Sequence, residues 1–183
     1  LLHFKPFGYD PSSQKYGDER NYFLNTFFDG IDVADGTVDL GEVVARLEVR
    51  FAALGSLQGV EVGASVPDLP VPVRCSPALA ERMFANLLDN AVKYGGTADA
   101  VEVTLERGRR HVYVRVRDHG DGIPEGELRR VFDRFYRVRR EAGTRGSGIG
   151  LYAARRLAES VGARLWCEPA DGGGARFVIA LPA

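Results

Sequence analysis

Four short motifs follow one another between residues 86 and 150, and their order and spacing constrain the fold more than any other feature of the chain. They are Asn86-x-x-x-Asn90-x-x-Lys93, Asp118-x-Gly120-x-Gly122, Phe132-x-x-Phe135 and Gly146-x-Gly148-x-Gly150. The first has the spacing of one helix face, the second follows an alternating strand, and the last opens a helix. A fold that accommodates them must combine helices and strands in this order.

Apolar residues at helical spacing predict three main helices. The first follows Asp39, a candidate N-cap, and the second begins at Ser76-Pro77, an N-cap followed by proline. The third runs over 150–161, and a shorter helix is expected over 125–131. The apolar side of the first helix is expected to hold Val43, Val44, Leu47, Phe51 and Leu54, and that of the second Leu79, Met83, Leu87 and Ala91.

Alternating and short apolar runs predict strands near 60–64, 71–74, 101–106, 111–117, 163–167 and 176–181. The third and fourth of these read as a hairpin. Helices and strands in this order predict an α+β fold, a two-layer α/β sandwich with a mixed, mainly antiparallel sheet packed on helices.

Residues 1–36 differ from the rest. Eight of the chain's 17 Phe and Tyr residues fall in the first 28 positions, among early Pro and Gly residues. This aromatic-rich segment and linker, with a short helix expected over 19–29, is expected to pack on the main domain, and the alternative is an arm that docks a partner. The main domain is expected to cover 37–183.

Composition excludes several classes of protein. A length of 183 residues suits one domain and little more. With 24 basic and 25 acidic residues the net charge is −1, so no basic excess indicates a nucleic-acid surface. Cys75 and Cys167 form no Cys-x-x-Cys pair, which leaves a zinc site or a disulfide framework unsupported and favours a cytoplasmic setting. No apolar run approaches the ~20 residues that span a bilayer, so no direct membrane contact is expected.

The first motif places two amides and an amine on one helix face. An Asn carbonyl oxygen is a neutral hard ligand suited to Mg²⁺, which makes Asn86 and Asn90 candidate metal ligands. Lys93 can offer a point charge to a phosphate. The alternative is an ordinary solvated helix face.

The second motif puts Asp118 at a strand end, where its carboxylate can accept a hydrogen bond from an exocyclic amine. Gly120 and Gly122 allow the backbone to approach a flat base closely. The alternative is a glycine turn in which Asp is simply a favoured residue.

The last two motifs flank an Arg-rich loop. Phe132 and Phe135 suit core packing, or anchors at the base of a mobile loop over 137–147 that acts as a lid. Backbone N–H groups at the glycine-rich start of the following helix favour anionic oxygens. This start is neither a Walker loop nor a dinucleotide fingerprint.

Each motif is weak alone, but as an ordered set they resemble the catalytic, ATP-binding domain of bacterial two-component sensor histidine kinases, within the GHKL superfamily. The resemblance covers roughly residue 37 to the end and rests on 86–94, 131–137 and 148–151. It implies the Bergerat (GHKL) α/β sandwich, with ATP and Mg²⁺ as ligands.

The resemblance also implies roles for individual residues. Asn90 ligates Mg²⁺ and Asn86 lies beside it, while Asp118 binds the adenine amine. The residues implied to line the nucleotide site are Asn86, Asn90, Lys93, Tyr94, Asp118, Gly120, Gly122, Arg137, Gly146, Gly148, Gly150 and Leu151.

Position 86 bears on the reaction. Hydrolysing members of the superfamily carry a Glu there that activates water, whereas Asn cannot act as a general base at neutral pH. Transfer of the γ-phosphoryl group to a histidine is therefore favoured over hydrolysis. None of His3, His111 and His119 matches the family's acceptor histidine, so no catalytic acceptor is identified in the chain.

The implied partners are the dimerisation and phosphoacceptor domain of the same kinase and a response regulator, in the cytosolic part of a membrane-bound kinase. Two alternatives remain open. One is a nucleotide-gated protein-binding module without kinase activity, and the other is an anti-sigma-type serine kinase. The Phe132/Phe135 pair favours the histidine-kinase branch over the latter.

Overall fold

The computed structural model describes residues 36–96, 100–138 and 147–183. This part of the chain contains three α-helices, seven strands and two 3-10 turns. The helices are α1 (Leu40–Ser56), α2 (Pro77–Tyr94) and α3 (Gly150–Ser160). The strands are β1 (Thr37–Asp39), β2 (Val62–Ser65), β3 (Pro72–Arg74), β4 (Val101–Arg107), β5 (His111–Arg117), β6 (Arg164–Pro169) and β7 (Ala175–Pro182).

Five of the strands form one sheet in the order β2-β4-β5-β7-β6. Only β2 and β4 pair in parallel, and the other neighbours are antiparallel. The two remaining strands, β1 and β3, pair with each other in a small antiparallel ribbon. The mixed, mainly antiparallel sheet expected from the sequence is confirmed.

The helices form the second layer. α1 contacts β2 and β4, α2 contacts β4 and β5, and α3 contacts β6, while α2 packs against both other helices. Alternate residues of β5 turn inward, and the buried set Val112, Val114 and Val116 pairs with Leu181, Ile179 and Phe177 of β7. The expected two-layer α/β sandwich is therefore confirmed, with its core between the sheet and the helices.

Side-chain caps fix where the first two helices begin. The Asp39 carboxylate accepts hydrogen bonds from the N–H groups of Gly41 and Val71, both at 2.9 Å, which joins the start of α1 to the segment before β3. Ser76 caps α2 through the N–H of Leu79 at 3.3 Å, ahead of a proline in the first turn. Both caps predicted from the sequence are confirmed.

One predicted side chain lies off the buried face of α1. Leu54 is 44% exposed, so its assignment to the apolar side is wrong. The buried row continues from Leu47 and Phe51 to Gly55, at a constant spacing of four. A methyl group at Gly55 would lie 2.5 Å from the carbonyl oxygen of Val60, so the chain returning from α1 leaves room only for glycine there.

The helix expected over 125–131 is also wrong. This stretch holds two separate 3-10 turns, Glu125–Glu127 and Arg130–Phe132. A segment this short gains little from helix propagation after paying for nucleation, and Gly126 weakens it further. Burial of Val131 and Phe132 sets the backbone instead.

Two sequence-based expectations remain untested. The helix expected over 19–29 lies outside the described residues. The boundary between the N-terminal segment and the main domain at 36/37 stays a prediction.

Among the described residues, no helix combines the length and the apolarity needed to cross a membrane.

Candidate functional site

The polar face of α2 is the first part of the site. Leu79, Met83, Leu87 and Ala91 are fully buried on the opposite side. Asn86 and Asn90 are half-buried, whereas Lys93 is exposed and its ammonium group lies 2.5 Å from the Asp89 carboxylate. An exposed pair of this kind contributes little to stability. Lys93 can therefore exchange Asp89 for another anion at small cost.

The start of α3 lies beside Asn86. A methyl group on Gly150 would stand 3.7 Å from Asn86 Oδ1. Ile149 occupies the N-cap position, and its side chain makes no capping hydrogen bond. The first turn of α3, which includes the half-buried Leu151, thus brings backbone N–H groups and the positive end of the helix dipole next to an amide oxygen.

Asp118 follows β5 directly and is 4% exposed. Its Oδ1 accepts hydrogen bonds from the N–H groups of Ala175 at 3.0 Å and Gly120 at 3.2 Å. Burial raises the pKa of this carboxyl group above its ordinary value, and the two N–H groups oppose that rise by stabilising the ionised form. Buried carboxylates with shifted pKa values are typical of binding sites.

The loop after Asp118 is pressed against the end of α2. A methyl group on Gly120 would overlap the carbonyl oxygen of Tyr94 and lie 3.2 Å from Cα of Gly95. One on Gly95 would lie 3.1 Å from Cβ of Asp118. Gly95 and Gly120 are needed because the end of α2 and the loop after β5 touch at these two positions. The sequence alone did not indicate this contact. The contact sets Asp118 next to the last turn of α2, where Tyr94 is 43% exposed.

Sequence reasoning missed the turn between β6 and β7. Gly122 has φ +73° and its Cα faces the carbonyl oxygen of Gly174, which a methyl group would approach to 2.9 Å. Ala175 provides one of the two hydrogen bonds to the Asp118 carboxylate. The run Asp171-Gly172-Gly173-Gly174 is a local turn signal, but it does not show which segment the turn contacts.

The two phenylalanines separate into different roles. Phe132 is buried and stands edge-on to Phe177, with ring centres 6.2 Å apart. Phe135 is 57% exposed and has φ +64°, a conformation that side-chain-bearing residues rarely adopt. Core packing is therefore confirmed for Phe132 and is wrong for Phe135.

Phe135 instead joins the two sides of the predicted lid loop. Its N–H donates to the carbonyl oxygen of Gly148 at 2.9 Å. Gly148 has φ +67°, and a methyl group there would lie 2.8 Å from the carbonyl carbon of Phe135. Arg137 is half-buried just beyond this contact, and Gly146 lies outside the described residues.

The two ends of the site are linked through α2. Asn86 and Tyr94 are eight residues apart in one helix, which corresponds to about 12 Å along its axis. The Asn86 end meets the start of α3, and the Tyr94 end meets Asp118. The arrangement offers a buried acceptor at one end, and amide oxygens beside the first turn of a helix without a side-chain cap at the other. No cluster of three or more His, Cys, Asp or Glu residues suited to a metal occurs in the described ranges.

Comparison with known proteins identifies this arrangement. Residues 75–183 match the family model described as histidine kinase-, DNA gyrase B- and HSP90-like ATPase. The signal transduction histidine-protein kinase AfsQ2 of Streptomyces coelicolor is 36% identical over 155 residues, a stretch that covers 84% of this chain and 26% of AfsQ2. The chain thus spans about a quarter of that relative.

Solved structures of sensor histidine kinases superpose on this fold. The mycobacterial sensor histidine kinase MprB superposes with a TM-score of 0.70 at 30% identity, covering 80% of this chain and 96% of the MprB chain. Full-length ShkA, solved in complex with AMPPNP, superposes with a TM-score of 0.70 at 24% identity, covering 83% of this chain and 31% of that one, and shows the same fold. The chain belongs to the histidine kinase-, DNA gyrase B- and HSP90-like ATPase family, as the ATP-binding catalytic domain of a sensor histidine kinase.

Proposed function

We propose that this domain binds Mg-ATP between α2, α3 and the loop after β5, and that it passes the γ-phosphoryl group to a histidine on a dimerisation domain outside this chain. The observation that carries the proposal is the buried Asp118 carboxylate beside the end of α2, one helix length away from Asn86 and the start of α3. A base bound at Asp118 directs its phosphates along α2 towards Asn86.

At the base end, Asp118 accepts a hydrogen bond from the exocyclic amine of adenine. The two N–H groups that it already engages are on Oδ1. Oδ2 is the oxygen that we assign to the amine. Gly120 and Gly122 support the loop that holds the carboxylate, and Tyr94 borders the same end of α2.

At the phosphate end, the N–H groups of Gly150 and Leu151 favour anionic oxygens, because the first turn of α3 has no side-chain cap. The hinge residues Gly146 and Gly148, together with Arg137, are the proposed lid contacts. Lys93 reaches the phosphates after leaving Asp89. All of these groups offset phosphate charge and hold the phosphates in place.

Mg²⁺ fits this end of the site. Asn86 and Asn90 present amide oxygens one helical turn apart, both half-buried, and Asn86 Oδ1 faces the start of α3. A neutral pair of ligands of this kind suits a cation that takes most of its remaining ligands from phosphates and water. When bound, Mg²⁺ neutralises charge on the phosphate oxygens.

The residues favour transfer over hydrolysis. Water activation needs a general base, and Asn86, which lies next to the phosphate end, cannot provide one. Phosphoryl transfer to an acceptor depends mainly on positioning and charge neutralisation, which the site supplies. The partners are the acceptor-histidine domain of the same kinase and a response regulator, and the kinase is membrane-bound with this domain in the cytoplasm.

A labelling experiment tests transfer. The domain is incubated with γ-³²P-ATP and Mg²⁺, alone and together with the separately produced dimerisation domain of the kinase that contains it. We expect label on the dimerisation domain, none retained on this chain, and no transfer to a control dimerisation domain whose acceptor histidine is replaced by Gln.

Three results would contradict the proposal. Tight ATP binding without any transfer would favour a nucleotide-gated protein-binding module. Label on a serine of the partner would favour the anti-sigma-type serine kinase. Label retained on the isolated chain would place an acceptor within it.

A further inference from the structure

We propose that the outer edge of β6 pairs with the same edge of a second copy of this chain, antiparallel and about a two-fold axis at Trp166. The pairing joins the two five-stranded sheets into one continuous sheet. The inference goes beyond the proposed nucleotide site, because none of the residues assigned to ATP lies on β6.

β6 is the last strand of the main sheet and pairs with β7. Within the described residues, its other edge has no strand partner. The register with β7 continues without interruption from Arg164, opposite Ala180, to Pro169, opposite Ala175. An edge strand presents a row of backbone N–H and C=O groups to a further strand, unless a proline, a bulge or a cover prevents pairing. The only proline of β6 is its last residue, so the positions before it can pair.

The opposite edge of the sheet is protected. β2 has only four residues and includes Gly63. The Glu48 carboxylate of α1 accepts a hydrogen bond from the N–H of Ala64 at 2.8 Å. A side chain of the same domain therefore already uses a donor that a further strand would need. Of the two edges, β6 is the one suited to pairing.

The exposed side of β6 carries a charge pattern that is self-complementary. Leu165 and Cys167 are buried, and residues between them and beyond them alternate to the other face of the sheet. That face holds Arg164, Trp166 and Glu168, of which Arg164 is exposed and the other two are half-buried. A basic and an acidic residue thus stand at equal distances on either side of Trp166.

These three side chains are already ordered along the strand. Trp166 Nε1 donates to Glu168 Oε2 at 3.3 Å, and the Arg164 guanidinium lies 6.0 Å from the centre of the Trp166 ring. Glu168 Oε1 lies 3.4 Å from Arg176 Nη1 of β7. Because these contacts restrict the side chains before association, less side-chain freedom is lost when a second strand is added.

Charge selects the register. Antiparallel pairing about Trp166 places Arg164 opposite Glu168 of the second copy, and symmetry produces this pair twice. Opposite charges directly across two strands stabilise their pairing, whereas like charges destabilise it. A shift of two residues, the smallest that keeps the buried face inside, places Arg164 opposite Trp166 or Ala170 and removes both charge pairs.

The pairing is expected to be weak for the separate chain. A six-residue strand buries less surface than a standard protein interface, and association also costs rigid-body freedom. In the proposed function, two copies are held together by a dimerisation domain, which raises their effective concentration to the millimolar range. A dissociation constant of about 0.1–1 mM for the separate chain is sufficient under that condition.

Sedimentation equilibrium of the full chain at concentrations up to about 1 mM tests the pairing, and a monomer–dimer equilibrium is expected. Arg164→Glu replaces two attractive pairs by two repulsive ones and should weaken the dimer about tenfold. Arg74→Glu is the matched control, because it makes the same charge change at an exposed strand position outside the main sheet. It should leave the dissociation constant nearly unchanged.

A mixing experiment tests the register. Arg164→Glu and Glu168→Arg should each repel a copy of themselves, but a mixture of the two restores both charge pairs. We expect the mixture to form heterodimers about as strong as the wild-type dimer. Thermal melting checks that each variant is folded. Hydrogen exchange of the wild type should slow with concentration at the amides of β6, and should stay constant at those of β2.

Three results overturn the inference: no dimer at about 1 mM, a dimer that Arg164→Glu does not weaken, or exchange in β6 that is independent of concentration. A mixture of two folded variants that stays monomeric also overturns it. If Glu168→Arg does not fold, Arg164→Glu and hydrogen exchange decide.

Failure of the proposed function looks different. A chain that dimerises through β6 but does not bind Mg-ATP contradicts the nucleotide site and leaves the pairing in place. A chain that binds Mg-ATP and stays monomeric overturns only the pairing.

Discussion

At the scale of single residues, the proposed base-binding end of the site depends mainly on Asp118. It is a nearly buried carboxylate that the fold stabilises with two backbone N–H groups. Its location after an alternating strand was predictable, because strand periodicity and the following glycines mark a strand end. Its burial and its contact with Ala175 were not, because a bond between segments 57 residues apart leaves no local pattern.

The raised pKa of Asp118 gives a pH dependence. Burial holds the pKa above its ordinary value of 3.8, so the group takes up a proton at a higher pH than a free Asp does. Its ionised form is destabilising in the folded domain, and that cost disappears as pH falls through the raised pKa. Because Oδ1 already accepts two N–H groups, a proton taken up by the carboxylate lies on Oδ2, the oxygen that we assign to the adenine amine, and weakens that acceptor.

Purine riboside triphosphate lacks the exocyclic amine and serves as the reference ligand. The preference for ATP over it should therefore begin to decrease as the pH approaches the raised pKa of Asp118. Below that pKa the preference should fall by up to about tenfold per pH unit. Calorimetric titrations from pH 7.5 down to the lowest pH at which the domain remains folded measure it. The second ligand corrects for titration of the phosphates. The same titrations of the His119→Gln variant control for His119, whose Nε2 lies 3.2 Å from Glu102 Oε1. A preference that stays constant with pH contradicts an ionised Asp118 as the amine acceptor.

At the scale of elements, the candidate site is shaped by α2 and by the described ends of the predicted lid loop. The face of α2 that holds Asn86 and Asn90 followed from spacing alone, since helical periodicity is local. The conformation of Phe135 and its contact with Gly148 could not be predicted from spacing. Phe132 and Phe135 look alike in sequence, but only Phe132 reaches the core, while Phe135 turns into a left-handed conformation to meet Gly148.

Gly148→Ala tests the contact that closes the loop base. Gly59→Ala is the matched control, because Gly59 has φ +72° against +67° at Gly148, yet nothing lies within 4 Å of an added methyl group. The control should lose about 1 kcal/mol of unfolding free energy from backbone strain alone. Gly148→Ala should lose at least about 1 kcal/mol more, because the methyl group meets the backbone of Phe135. Equal losses in urea denaturation would mean that this contact is not maintained in solution.

At the scale of the whole molecule, the sandwich brings together three segments that are distant in sequence. They are α2, the loop after β5 and the start of α3. The order of helices and strands predicted this architecture well, because each element carries a clear period. The pairing of β2 parallel to β4 and the small β1–β3 ribbon were beyond prediction, since strand partners are chosen by long-range packing. The described sandwich belongs to a chain that spans about a quarter of AfsQ2.

The central claim is that this domain binds ATP through Asp118. Calorimetric titration of the wild type and of Asp118→Asn with a non-hydrolysable ATP analogue and Mg²⁺ tests it most directly. Asn keeps an oxygen for the N–H groups of Ala175 and Gly120, and removes a buried charge, so the fold should be retained. We expect one site in the wild type, and in Asp118→Asn at least about a tenfold loss of affinity with an undiminished melting temperature. Wild-type affinity in the variant, or no binding by the wild type, would contradict the account.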